Sequence, residues 1–194
     1  MQQIIIAFFV LIITVGAYAS DVKVPVKLDN AGFQGVLADA GKVLISGQPT
    51  LEGINRLKAQ GVTTIINFRT PREMDNREIV PFDESEEAEK LGITYIHVPL
   101  GGEAHPYTPE ALEKFATAMS KVEGKALIHC TVGWRASHVW SAYLTKYEGM
   151  EVNEALAHGR AANMGFQPFE ALLGGVTYKV NAESQSSMPM SDKK

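Results

Sequence analysis

Cysteine is nearly absent from this sequence: Cys130 is the only one in 194 residues. A single thiol excludes an intramolecular disulfide framework and any cysteine-rich zinc site. The five histidines show no His-x-x-x-His pair, so no metal-ligand spacing appears either. A basic excess is also missing, because 18 Lys and Arg face 22 Asp and Glu for a net charge of −4. That balance argues against nucleic acid as a partner, since a broad nucleic-acid surface needs the opposite sign. At 45% apolar and 21% charged residues the chain reads as globular rather than collagen-like or disordered.

Charge is wholly absent from residues 1–19, of which fifteen are apolar. The apolar run ends in Gly16-Ala17-Tyr18-Ala19, small residues in an A-x-A pattern. This reads as a signal peptide cut after Ala19, which places the mature protein in the periplasm or outside the cell. Met1-Gln2-Gln3 departs from that pattern, offering no Lys or Arg. The competing reading is a permanent anchor, but residues 4–19 as a helix reach only about 24 Å against a hydrocarbon core of about 30 Å. No stable membrane anchor is therefore expected after cleavage.

The remainder divides into a lead-in segment at 20–36, a folded domain at 37–180 and a disordered tail at 181–194. Strands are expected at 42–46 (KVLIS), 62–67 (VTTIIN), 93–99 (ITYIHVP) and 126–130 (ALIHC). Between them lie helical segments. Thr50 caps one that carries Leu51, Ile54 and Leu57 on one face and stops at Gly61. An acidic-first segment spans 83–91, and Thr108-Pro109-Glu110 opens a third helix. Residues 68–82 read as a polar loop, and further helices are expected at 136–147 and 153–158. Strands alternating with helices imply an α/β fold with a mostly parallel central sheet flanked by helices. Ligands in such sheets bind beyond the carboxyl ends of the strands.

At one such strand end stands the lone thiol, in His129-Cys130-Thr131-Val132-Gly133-Trp134-Arg135-Ala136-Ser137. Backbone N–H groups in a tight strand-to-helix turn can converge into an anion-binding nest, and the helix N-terminus adds partial positive charge. Both favour thiolate over thiol. Arg135 can curl back with a planar fork for an oxyanion, and Gly133 supplies freedom in φ. These residues describe a nucleophile, Cys130, facing a cradle for a tetrahedral anion. Thr131, Val132, Gly133, Trp134 and Ala136 are the candidate substrate-binding positions. A buried structural cysteine is the bland alternative.

The stretches LISGQPT (44–50), TIINFR (64–69), YIHVPL (95–100), TPE (108–110) and HCTVGWRAS (129–137) together resemble a known family. It is the bacterial beta-lactamase-hydrolase-like phosphatase family, a branch of the cysteine-dependent protein-tyrosine and dual-specificity phosphatases. The resemblance implies a protein-tyrosine-phosphatase-like fold and a cysteinyl-phosphate intermediate on Cys130, with Arg135 binding the phosphate. It implies no metal or organic cofactor, and a small anionic substrate or phosphoprotein as partner.

Two departures stand out. Four residues separate Cys130 from Arg135, where tyrosine and dual-specificity phosphatases have five and rhodanese-type sulfurtransferases have four. Also, no Asp occurs between Asp83 and Asp192, so the usual aspartic general acid is missing from the loop before the third helix. Glu103 and His105 are the candidates there, with Glu73, Asp75 and Glu78 weaker ones. Arg69 is a candidate contributor of positive potential, and His129 and Ser137 are candidate supports of the thiolate loop. Each also has an ordinary reading, as a surface ion pair, a core histidine or a helix cap. Trp134 is expected to pack rather than to wall the pocket. Three functions stay open: an exported cysteine-dependent phosphatase, a sulfurtransferase or persulfide carrier on the same Cys130, and a non-catalytic anion-binding module.

Overall fold

The computed structural model describes residues 22–166 and 168–175. The expected signal peptide, most of the tail-side boundary and the tail itself lie outside them. Six strands form one sheet: β1 (Val22–Lys27), β2 (Leu37–Gly41), β3 (Val43–Ser46), β4 (Val62–Asn67), β5 (Thr94–His97) and β6 (Lys125–His129). Their order across the sheet is β1-β2-β3-β6-β4-β5. The pairings β3–β6, β6–β4 and β4–β5 are parallel, while β1–β2 and β2–β3 are antiparallel.

β6 is therefore central, and the parallel strands around it are buried on both faces. Alternate residues go to opposite sides, as the two-residue period of a strand demands. Ile45, Ile66 and Ile128 join one core, whereas Leu44, Ile65 and Leu127 join the other. Against the first core pack α4 (Pro109–Met119), α5 (Trp134–Lys146), α6 (Val152–Ala162) and α7 (Phe169–Leu172). Against the second lie α1 (Leu51–Leu57), continued by a short 3-10 turn, and α3 (Glu84–Lys90). The remaining helix, α2 (Pro71–Met74), sits beyond the end of β4.

The caps are the ones the residues prescribe. Thr50, Asp83 and Thr108 each accept hydrogen bonds from backbone N–H groups in the first turn that follows, satisfying donors that a helix leaves free. Gly61 closes the 3-10 turn in the left-handed region at φ 77°.

Several expectations need correction. The lead-in contains β1, an edge strand held by pairing with β2. β2 itself, with sequence LADAG, carries no β-branched residue, and its strand state comes from its two neighbours rather than from propensity. The polar loop at 68–82 holds α2, started by a Thr70–Glu73 capping box. α5 begins at Trp134 rather than Ala136, and Leu51 is 43% exposed instead of sharing the buried face of Ile54 and Leu57.

Candidate active site

Cys130 follows the last residue of β6 and is 1% exposed, at the foot of the turn into α5. What shapes that turn is where its carbonyls go. The Thr131 carbonyl accepts from the Gln48 N–H at 3.0 Å. The Val132 carbonyl accepts from the Asn163 side-chain amide at 2.8 Å. The Gly133 carbonyl accepts from the Ser137 N–H at 3.0 Å and its hydroxyl at 2.8 Å. In a trans peptide the C=O and the following N–H point to opposite sides of the chain. The N–H groups of residues 132 and 134 thus face away from Gln48 and Ser137, the partners of the Thr131 and Gly133 carbonyls.

Two glycines make this geometry accessible. Gly133 has φ 87° as the N-cap of α5, and an added Cβ would stand 2.4 Å from Val36 Cγ1. Gly47 bridges to Val132, and a Cβ there would stand 1.6 Å from the Gln34 carbonyl oxygen. Neither position has room for a side chain.

Arg135 turns inward and is 9% exposed. Its Nη1 donates to Glu73 Oε2 at 2.8 Å, to the Leu100 carbonyl at 2.7 Å and to the Phe68 carbonyl at 3.2 Å. Its Nη2 donates to Glu73 Oε1 at 2.6 Å and to the Thr131 hydroxyl at 2.9 Å. The hydrogen bonds of Arg135 among the described residues all fall on these two nitrogens, which locks the guanidinium plane. Burial opposes its charge, but the Glu73 hydrogen bonds and the nearby negative charges outweigh that and hold it above its ordinary value.

Glu73 is the residue that sequence reasoning misassigned. Burial alone would raise its pKa, yet hydrogen bonds from Arg135, the Thr70 backbone and Thr131 push it down to about 2. A carboxyl ionised at neutral pH has no proton to give, so Glu73 is removed from the general-acid candidates and becomes the clamp of Arg135. The T-x-x-E spacing of Thr70 and Glu73 was a legible helix-start signal; the pairing with a residue 62 positions away was not.

Beside the turn opens a cleft of about 830 Å³, whose lining takes in Thr131 and Glu73 but neither Cys130 nor Arg135. Arg69, Glu73 and Thr131 line it on one side, and Gly101, Gly102, Glu103 and His105 on the other. Glu103 and His105 are thus brought to the cleft, in a loop closed by the Gly101 N–H bond to the His105 carbonyl at 2.7 Å. Asp75 and Glu78 are exposed outside its lining. Tyr107, which the sequence did not single out, is held protonated by burial and feels the charges of Arg135, Cys130 and Glu73.

Other candidates fall elsewhere. The Ala136 side chain belongs to the core rather than to the cleft. Trp134 packs edge-on to His138, with ring centroids 4.7 Å apart, and is not in the cleft lining. Ser137 is fully buried, and its hydroxyl donates to the Gly133 carbonyl and accepts from the Asn163 N–H. It braces the turn and is not free to serve the sulfur. Arg69 is 2% exposed and donates to Gln48 Oε1 at 2.6 Å and to the Glu73 carbonyl at 3.2 Å. Its own charge is disfavoured by burial. Among the described residues no group of three His, Cys, Asp or Glu could hold a metal.

Residues 29–172 match the family model described as DSP-PTPase phosphatase fused to NAD+ kinase. The chain belongs to this phosphatase family. It is similar to the beta-lactamase hydrolase-like protein of Xylella fastidiosa (strain Temecula1), with 29% identity over 128 residues. That match covers 64% of the chain but 28% of the relative, so the chain spans little more than a quarter of that protein's length. Among solved structures it resembles a DUF442 phosphatase-type protein from Shewanella putrefaciens CN-32. There the identity is 26%, coverage is 74% of this chain and 91% of that one, and the TM-score is 0.57. PTPMT1 in complex with PI(5)P shares the fold at 18% identity and TM-score 0.55, over 69% of this chain and 87% of that one. The phosphatase domain is a cysteine-dependent hydrolase of the protein-tyrosine-phosphatase-like fold.

Proposed function

We propose that this chain is an exported phosphomonoesterase in which Cys130 attacks phosphorus and carries a cysteinyl-phosphate. The observation that carries this reading is the outward capture of the turn's carbonyls by Gln48, Asn163 and Ser137. It supports an inner face of amides ready for the equatorial oxygens of a phosphoryl group. Arg135, paired with Glu73, donates to the Thr131 hydroxyl of the same turn, and a phosphoryl group would have to compete with Glu73 for its fork. The attacking thiolate is favoured at a helix N-terminus, and displacement of the ester oxygen needs a proton. That proton comes from the 101–106 loop, through Glu103 or His105.

The substrate is a phosphomonoester on a carrier large enough to lie along the cleft, a phosphoprotein or a smaller phosphorylated ligand of the kind seen with PTPMT1. Export rests on the apolar, uncharged residues 1–19 and their A-x-A ending. Among the described residues no helix is long and apolar enough to cross a membrane. Intact-mass measurement of protein from the secreting host should give a chain starting at Ser20; one that retains Met1 would overturn export.

The short spacing between Cys130 and Arg135 also suits a smaller cradle for sulfur, so one preparation should be offered both chemistries. Release of p-nitrophenol from p-nitrophenyl phosphate, with trapped phosphate on Cys130, is the expected result. Thiocyanate from thiosulfate and cyanide without any phosphate release would replace the phosphatase reading by sulfur transfer.

A further inference from the structure

The buried polar groups beneath the Cys130 turn face one another. His129 is fully buried with Nε2 2.8 Å from Glu84 Oε1, and Glu84 Oε2 accepts from the Gln48 side-chain amide at 2.9 Å. A second charged cluster, at the opposite end of the sheet, faces solvent instead. There Lys23 of β1, Lys42 between β2 and β3, and Lys125, the first residue of β6, line a cavity of about 340 Å³ with Asp39, Gly41 and Gly124. β6 runs from Lys125 to His129, which sets this cavity roughly 16 Å from the Cys130 turn.

The fold brings these lysines together against their repulsion. In the parallel pairing of β3 with β6, Val43 stands opposite Ala126, and the Lys42 carbonyl accepts from the Ala126 N–H at 2.9 Å. One position back, Lys42 and Lys125 are cross-strand neighbours of like charge, an arrangement that destabilises a sheet. Lys23 joins them from the edge strand, where Val22 stands opposite Gly41. The one carboxylate in the lining is already engaged. Asp39 accepts from Lys125 Nζ at 3.1 Å on Oδ2 and 3.3 Å on Oδ1, and Oδ1 also accepts from the Gly41 N–H at 2.8 Å. Lys23 and Lys42 are exposed, and neither side chain has a hydrogen bond or ion pair among the described residues. Glu123 is exposed too but stands outside the lining.

We propose that this cavity is a second anion site, in which Lys23, Lys42 and Lys125 hold a phosphate-type oxyanion of about two charges or more. An ammonium is a compact point charge with three rotatable donors, so lysines converging from separate strand ends suit a tetrahedral oxyanion. A planar carboxylate is better matched by a guanidinium fork. Lys42 is the single residue joining β2 to β3, in a hairpin turn held by Gly41 at φ 89° and by the Asp39–Gly41 bond. Its backbone is therefore fixed before any ligand arrives, which lowers the ordering cost of binding. The anion offsets the Lys42–Lys125 repulsion, and its place at the far end of the sheet leaves the catalytic cleft free. A soluble polyphosphate and a phosphorylated lipid headgroup offer the same chemistry.

The test records amide nitrogen-15 shifts of the full chain during titration with tripolyphosphate, beside sodium chloride at equal ionic strength. Saturable shifts at Gly41, Lys42, Gly124 and Lys125 are expected, apart from any at the Cys130 turn. Replacing both free lysines, Lys23→Gln with Lys42→Gln, should weaken binding at these amides about tenfold, or about threefold for each exposed charge. That variant should keep the parent kcat for p-nitrophenyl phosphate. Lys114→Gln, an exposed lysine of α4 outside the lining, should keep the parent affinity.

Sedimentation with vesicles containing phosphatidic acid but not with phosphatidylcholine alone, lost in the double variant, supports the site with a lipid headgroup as its source. Saturable shifts without sedimentation support it with a soluble polyphosphate. Shifts no larger than those of chloride overturn the proposal, as does equal affinity in the double variant. Should that variant fail to fold, the parent titration still decides, because shifts confined to the Cys130 turn overturn the proposal.

Discussion

The two walls of the cleft are built on different terms. On one side the Cys130 turn is tied from outside by Gln48, Asn163 and Ser137, and its arginine is clamped by Glu73. On the other, residues 101–106 form a loop closed on itself by the Gly101–His105 bridge, with Glu103 exposed at its tip. In the proposed mechanism the groups that meet a charged transition state in fixed geometry sit on the braced wall, where reorganisation costs least. A proton donor has only to arrive within hydrogen-bond reach of the leaving oxygen, so it tolerates a wall with some freedom.

The strongest way to break that contrast is to remove the clamp's partner. In Arg135→Lys one ammonium replaces a planar fork that now serves Glu73, Thr131 and two carbonyls. kcat for p-nitrophenyl phosphate should fall by about 10²–10³. A loss under tenfold would show that the turn's amides suffice alone. The opposite wall comes next. Glu103→Gln or His105→Asn should cost about a hundredfold with phenyl phosphate, the size of a lost general acid. The cost should be far smaller with p-nitrophenyl phosphate, whose leaving oxygen departs without a proton. If both variants match the parent on both esters, the proton comes from elsewhere and Tyr107 becomes the residue to test.

A pair of glycines sharpens the comparison in stability. At Gly133, φ 87° and a Cβ 2.4 Å from Val36 Cγ1 combine strain with overlap, so Gly133→Ala should lose about 2–4 kcal/mol in urea unfolding. At Gly102, φ is 70° but nothing lies within 4 Å of the added Cβ. Gly102→Ala should lose only about 1 kcal/mol. Equal losses would erase the distinction between the walls.

A pH-dependent effect concerns the helix behind the braced wall. His138 is fully buried, with neither ring nitrogen hydrogen-bonded among the described residues, and burial lowers its pKa from 6.5 to about 4. The unfolded chain therefore takes up the proton first. Stability should be unaffected by this group above pH about 6.5, fall as pH drops toward about 4, and flatten below. The slope is at most about 1.4 kcal/mol per pH unit. His138→Gln should flatten that stretch of the unfolding curve. An unchanged pH dependence would assign the acid sensitivity to other groups.

Much of this was legible in the order of residues. The β-branched run 62–67, the Thr108-Pro109 start and Gly61 as a stop all became the expected elements, because each depends on a few neighbouring residues. β2 escaped, since alanine, aspartate and glycine become a strand only when two neighbours pair with them. The same limit governed the site. Cys130, Thr131, Gly133 and Arg135 share one short segment and could be read together, whereas Glu73, Gln48 and Glu84 come from distant positions and carry no local signal of burial.

By itself the sequence determined that a lone thiol stands at a strand end before a helix, four residues from an arginine, in a chain with no aspartate nearby to supply a proton. Tertiary structure alone decided which carboxylate clamps that arginine, which donors pull the turn's carbonyls outward, and that Ser137 and Ala136 serve the frame rather than the ligand. The physical reason is range. Dihedral preference and periodicity act over a few residues, while buried charges and amides are satisfied by whatever the packed sheet brings to them.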